Sequence, residues 1–119
     1  MANPSRKDLE RQLDGETDPI RRTNLLFELA LMNDRDKTTT RVAIGYYRQA
    51  LATGLLDDSK RLRAMAFLAS SASKVGELDL AQEMVNSLRA EGVDQSHQGL
   101  GGVVTDVAKR LKRKLGREG

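Results

Sequence analysis

Cysteine is absent from this chain, and only four of its 119 residues are aromatic. Without cysteine there is no disulfide, no thiolate nucleophile and no cysteine-ligated zinc site. The shortage of aromatic and β-branched residues disfavours a β-sandwich or barrel. The chain is instead rich in Ala, Leu and Arg, which favour helices. We therefore expect an all-α fold.

Long apolar runs are also missing, since none approaches the ~20 residues that a membrane span requires. The polar residues 1–13 include Asp8 and Glu10, which fits neither a signal peptide nor an acid-poor transit peptide. The apolar content of 39% is that of a globular chain, and the length predicts a single domain over 1–119. We expect a cytoplasmic protein.

Residues that carry chemistry are sparse. His97 is the only histidine and lies in a connection rich in Ser, Gln and Gly, whereas a metal site or a catalytic triad needs several convergent groups. The glycines at 99–102 lack the preceding strand and the Gly-Lys-Ser/Thr ending of a phosphate loop. We predict a non-enzyme with no cofactor, no metal site and no small-molecule substrate.

Six helices can be placed by their start and stop signals. Ser5 is a candidate N-cap, and Asp18 followed by Pro19 is a second start signal. Gly54 and Gly92 each follow an apolar helical stretch, as expected at a helix C-terminus. The predicted helices are 6–13, 19–33, 40–53, 60–76, 79–90 and 103–115.

The segment 62–95 carries the first sign of a repeat. Gly76 lies at the turn between two helices, and Ala81 follows five residues later. Val85 and Leu88 come four and seven residues after that alanine. This arrangement resembles the tetratricopeptide repeat, whose turn has the pattern G-x-x-x-x-A.

The segment 24–57 fits the same frame. Ala43, Tyr47 and Ala50 match the A-x-x-x-[FY]-x-x-A pattern of the tetratricopeptide family, although Thr38 replaces the turn glycine. Ala43 and Ala81 are 38 residues apart, four more than the family's ~34-residue period. The connection between the segments accommodates the extra residues.

This resemblance implies an architecture. We expect a six-helix antiparallel right-handed α-α superhelix, built from tetratricopeptide-like pairs at 24–57 and 62–95. Two-helix units cannot bury their apolar faces alone. The first and sixth helices are therefore expected to cap the stack, the sixth opening the basic C-terminal segment 103–119.

The resemblance also implies a function, namely a protein-binding adaptor or scaffold that holds a peptide or helix on its concave face. Glu28 and Met32 fill positions where chaperone-binding members carry Lys and Asn, so their carboxylate clamp is not expected. The partner is a protein or peptide, which includes a second copy of the chain. The expected partner-binding residues are Leu25, Glu28, Met32, Arg63, Ala66, Ser70 and Lys74.

A basic C-terminal segment leaves a second function open. Residues 103–119 hold six basic and two acidic residues, a net charge of +4, so the rest of the chain carries −1. Such a cluster is typical of contacts with nucleic acid or acidic lipid, although cations also stabilise the C-terminal end of a helix. The alternative is an anion-binding module acting through Lys109, Arg110, Lys112, Arg113 and Lys114.

The order of helices is also similar to that of the mitochondrial fission adaptor family, which has one leading helix, two tetratricopeptide-like pairs and a basic closing helix. Members of that family carry a transmembrane tail after the last helix, whereas this chain ends at Gly119. A further alternative is therefore the soluble part of a tail-anchored adaptor. We favour a likeness of repeat architecture alone.

Overall fold

The computed structural model of the chain describes residues 5–94 and 96–116. These residues form six α-helices and no strand, which confirms the all-α prediction. A 3₁₀ helix, Lys37–Thr39, precedes the third α-helix. The helices are α1 (Arg6–Gly15), α2 (Pro19–Asp34), α3 (Thr40–Ala52), α4 (Asp58–Lys74), α5 (Leu78–Ala90) and α6 (Gly101–Leu115).

Contacts divide the chain into two compact units. The N-terminal unit ends at Arg61 and the C-terminal unit begins at Leu62. The single domain expected over 1–119 stays a prediction. Within the described ranges, no helix has the length and apolar character needed to cross a membrane.

The first two helices begin where the sequence predicts. The Ser5 hydroxyl accepts a 3.2 Å hydrogen bond from the Asp8 backbone N–H, and the Asp8 carboxylate accepts one of 3.1 Å from the Ser5 N–H. The Asp18 carboxylate caps α2 by accepting from the Arg21 N–H at 2.9 Å. Each cap satisfies a backbone donor that lacks a partner inside its helix.

Three later helices begin earlier than the sequence predicts, α5 by one residue and α4 and α6 by two. The Asp57 carboxylate accepts from the Lys60 N–H at 2.8 Å, so α4 already starts at Asp58. The Gly101 N–H donates to the His97 carbonyl at 3.0 Å, which draws the glycines after position 100 into α6. These glycines were expected to lie in the loop, but the helical hydrogen bonds outweigh their weak helix propensity.

The turn between α4 and α5 has the geometry that the repeat resemblance implies. Gly76 has a φ of +88°, a left-handed conformation that glycine adopts without strain. The Glu77 N–H donates to the Ala72 carbonyl at 2.9 Å, which closes the C-terminal end of α4. This turn ends α4 and starts α5 within three residues.

The core of the N-terminal unit lies between α1, α2 and α3. The rings of Phe27 and Tyr47 meet with their centroids 6.4 Å apart at 56°, a tilted arrangement typical of aromatic pairs. Ile44 is buried although the sequence pattern did not include it in the core. The buried apolar side chains of this unit are Leu9, Leu13, Leu26, Phe27, Leu29, Ala30, Ala43, Ile44, Tyr47 and Ala50.

A polar cluster ties the start of α1 to the connection that follows α2. The Arg6 guanidinium donates to the Asn33 side-chain oxygen at 3.2 Å and to the Thr39 hydroxyl at 3.4 Å. The Asn33 amide in turn donates to the Leu29 carbonyl at 2.8 Å. Because Asn33 is buried, these bonds satisfy polar atoms that water does not reach.

The C-terminal unit buries mainly small side chains along α4 and mainly larger ones along α5 and α6. The helices α5 and α6 pack against each other. Small side chains let helices approach closely. The buried apolar side chains of this unit are Ala64, Met65, Ala66, Leu68, Ala69, Ala72, Ala81, Val85, Leu88, Val93, Leu100, Val104, Val107 and Leu111.

Candidate functional site

On α2, the three residues expected to bind a partner differ in exposure. Leu25 and Met32 are half-buried, and Glu28 is exposed. Leu25 and Glu28 line a shallow groove of the N-terminal unit that also includes Gln12 of α1 and Arg21. This groove offers an apolar side chain next to charges of both signs.

On α4, three of the four expected residues share one surface. Arg63 and Lys74 are exposed and Ser70 is half-buried. Ala66, by contrast, has 0% of its surface exposed, so it belongs to the core and offers a partner no surface. The predicted concave face combines residues of both units and stays a prediction.

Phe67 is the residue on this surface that the sequence analysis missed. Its ring lies under the guanidinium of Arg63, with 5.9 Å between the guanidinium carbon and the ring centroid. Such a cation–π contact orients the arginine and covers part of the ring. We call Arg63, Phe67, Ser70 and Lys74 the α4 stripe. Their spacing of four, three and four residues places them on one helix face. This spacing could have identified Phe67 as part of the surface from the sequence.

Next to the end of this stripe, Ser73 connects α4 to α6. The Arg110 guanidinium donates to the Ser73 hydroxyl at 2.7 Å, and the Lys114 ammonium donates to the Ser73 carbonyl at 2.7 Å. The Ser73 hydroxyl also donates to the Ser70 carbonyl at 2.8 Å. The last carbonyls of a helix lack intrahelical partners and carry partial negative charge, so two basic side chains of α6 stabilise this helix end.

The basic residues of α6 line three adjoining grooves. Arg110, Arg113 and Lys114 line an open groove with Lys74 at the end of α4. Lys109 and Lys112 line another, in which Arg89 of α5, Asp94, Val104, Thr105 and Ala108 also take part. Lys109, Arg110, Lys112 and Arg113 line a third groove together with Asp106, so four of the five expected anion-binding residues adjoin one another. Anion binding by them stays a prediction, and Arg117, which belongs to the same basic segment, lies outside the described residues.

His97 has a local structural contact. Its Nδ1 accepts a 3.4 Å hydrogen bond from the Leu100 N–H just before α6. Among residues 5–94 and 96–116, no three His, Cys, Asp or Glu side chains gather closely enough to hold a metal ion.

An all-helical chain with a Gly76 turn between α4 and α5 has the features of a helical-repeat protein. A family model described as the tetratricopeptide repeat matches residues 23–116, about four-fifths of the 119-residue sequence. The chain belongs to the tetratricopeptide repeat family, whose members are protein–protein interaction modules. The match includes α6, which lies beyond the two repeat-like segments 24–57 and 62–95 predicted from the sequence. No curated protein and no solved structure matches the chain.

Proposed function

We propose that this protein is a non-enzymatic adaptor or scaffold that binds a peptide or helix of a partner protein on the outer surfaces of α2 and α4. Membership of the tetratricopeptide repeat family supports a protein-interaction module. The observation that carries the proposal is the α4 stripe, where Phe67 lies between Arg63 and Lys74 on one helix face.

The stripe suits protein recognition for two chemical reasons. Aromatic and arginine side chains are enriched in protein interfaces, because both bury a large area and the guanidinium of arginine also donates hydrogen bonds. A guanidinium already held over an aromatic ring also loses less conformational freedom on binding than a solvated one. A partner helix with apolar and acidic residues on one face satisfies both groups.

The surface of α2 offers different chemistry. Leu25 and Met32 are apolar and half-buried, and Glu28 adds a negative charge between them. We propose that this surface makes apolar contacts, with Glu28 selecting a basic or amide side chain. The two surfaces are separable in experiments because each is built within its own unit.

Photo-crosslinking tests the proposal. A photoreactive amino acid at Ser70, and separately at Glu28, is expected to crosslink one specific partner in the source cells, which mass spectrometry identifies. The affinity of purified partner for Arg63→Glu is then compared with that for Arg48→Glu, which makes the same charge change on the exposed surface of α3.

We expect Arg63→Glu to weaken binding at least about tenfold, equivalent to about 1.4 kcal/mol, and Arg48→Glu to leave it unchanged. Circular dichroism checks that both variants are folded. A partner that binds the wild type, Arg63→Glu and Phe67→Ala equally well would exclude the α4 stripe as its site. Equal binding by Glu28→Lys would exclude the α2 surface.

A further inference from the structure

The groove between the C-terminal end of α4 and α6 has an unusual concentration of positive charge. Lys74, Arg110, Arg113 and Lys114 line it, so four cations meet within the C-terminal unit. Like charges close together repel one another. An anionic ligand at this position removes that repulsion.

Two of the four cations are fixed in place. Ser73 is fully buried, and its hydroxyl and carbonyl hold Arg110 and Lys114 at 2.7 Å each. Ordering a long basic side chain usually opposes binding through lost rotamer entropy. Because folding has already ordered these two side chains, an anion in the groove meets a partly preorganised site.

We propose that this groove binds side-chain carboxylates of an acidic segment of the partner protein. The inference rests on the proposed function and specifies the chemistry of the partner. Lys74 belongs both to the α4 stripe and to the groove, which makes the two surfaces continuous. Phe67 lies seven residues before Lys74, or about 10.5 Å along the helix axis. A helical partner therefore carries an apolar residue about two turns from its acidic residues.

The surroundings of the groove favour a short acidic segment over nucleic acid. Asp106 of α6 lies beside Lys109, Arg110, Lys112 and Arg113 in the adjoining groove. A phosphate backbone needs a long cationic track, which this carboxylate interrupts. Residues 103–116 also contain no aromatic side chain, so unpaired bases have nothing to stack on along α6.

Selection from a random peptide library against the full chain tests the inference. We expect the selected peptides to be enriched in Asp and Glu, with an apolar residue about two helical turns away. A labelled selected peptide then serves as the probe in fluorescence anisotropy. Its affinity is compared between the double variants Lys74→Glu/Arg113→Glu and Lys109→Glu/Lys112→Glu, which change the net charge equally.

We expect Lys74→Glu/Arg113→Glu to lower the affinity for the probe at least about tenfold. The affinity of Lys109→Glu/Lys112→Glu is expected to stay near that of the wild type. Arg110 and Lys114 are left intact because they hold α6 on α4. Selected peptides without acidic enrichment, or equal loss in both double variants, would overturn the inference and leave the proposed function standing. If no peptide is selected, the inference fails, whereas the proposed function is decided separately by the photo-crosslinking experiment. The protein could instead bind a short DNA duplex more tightly than the peptide at ~50 mM salt, and both double variants could lose this DNA binding equally. That result would overturn the inference and assign the cations to nucleic acid.

Discussion

The Tyr47 hydroxyl donates a 2.9 Å hydrogen bond to the carboxylate of Asp34. Tyr47 is fully buried in α3, whereas Asp34 is the last residue of α2. The same ring packs against Phe27. One aromatic side chain thus joins the two helices through an apolar contact and through a charge-assisted hydrogen bond, which is stronger than a neutral one.

Replacing Tyr47 with Phe isolates the hydrogen bond, because the ring stays in the core. The half-buried Asp34 carboxylate loses a donor, so we expect the free energy of unfolding to fall by about 1–3 kcal/mol. Urea denaturation at neutral pH measures the change. Tyr46→Phe, at the neighbouring half-buried position, is the control and is expected to change stability less. Equal stability of Tyr47→Phe and wild type would show that this bond contributes nothing net.

Two glycine-to-alanine substitutions are expected to act in opposite directions. Gly45 lies inside α3, and a Cβ built there meets no atom within 4 Å, so Gly45→Ala stabilises the protein by about 0.5–1 kcal/mol. A Cβ at Gly76 is equally unobstructed, but the φ of +88° strains any L side chain by about 1–2 kcal/mol. Thermal denaturation of both variants gives the comparison. A Gly76→Ala variant as stable as wild type would contradict the left-handed turn.

The prediction for Ser73→Ala concerns α6. The change removes the acceptor for Arg110 and the bond to the Ser70 carbonyl, so we expect a loss of about 1–3 kcal/mol. Hydrogen exchange read by mass spectrometry should accelerate most in α6. The matched control is Ser59→Ala at an exposed position of α4, where exchange should stay unchanged. Unaltered exchange of α6 in Ser73→Ala would mean that the bond between Arg110 and the Ser73 hydroxyl does not help to hold this helix.

The caps of α1 and α2 were readable from the sequence because their partners are close along the chain. Ser5 and Asp8 are three residues apart, and Gly76 lies within the turn that it forms. The hydrogen bond between Arg110 and Ser73 joins residues 37 positions apart, and no local sequence pattern indicates it. From the sequence alone, Arg110 is therefore only one cation of a basic cluster, and its structural role becomes visible in the fold.

The candidate site was predictable only in part, and for a similar reason. The repeat frame of the family resemblance assigned Arg63, Ser70 and Lys74 to the partner-binding face. The structure leaves each of them exposed or half-buried, and their role in binding stays a prediction. The same frame included Ala66, which is fully buried, because the burial of a small side chain depends on its larger neighbours. The frame did not include Phe67, whose side chain is half-buried on the same face as Arg63.

Acid should weaken the fold through two capping carboxylates. The pKa of Asp8 is lowered below its ordinary 3.8, first by the backbone N–H of Ser5 and then by the Ser5 hydroxyl. The pKa of Asp36 is lowered first by the hydroxyl and then by the backbone N–H of Thr38. Since folding favours the charged forms, their stabilisation is present above the ordinary value and is lost as the pH falls through the lower folded values.

The corresponding experiment is a series of urea titrations at decreasing pH. We expect the free energy of unfolding to decline below about pH 4, and to decline less steeply in Asp8→Asn/Asp36→Asn, which is already weaker at neutral pH. Asp58→Asn, at an exposed position of α4, serves as the comparison. If the free energy of unfolding falls equally steeply with pH in the wild type and the double variant, Asp8 and Asp36 are not the cause of the acid sensitivity.

The attachment of α1 determines where the molecule opens first. Only Leu9 and Leu13 of this helix are buried, and the Arg6 guanidinium supplies its polar link to Asn33 and Thr39. Regions with few buried contacts open at a free energy below that of global unfolding. Transient release of α1 is thus a separate fluctuation from loss of the α2–α3 pair, and trypsin is expected to cleave at Arg6 or Arg11 of the native protein before it cuts α3.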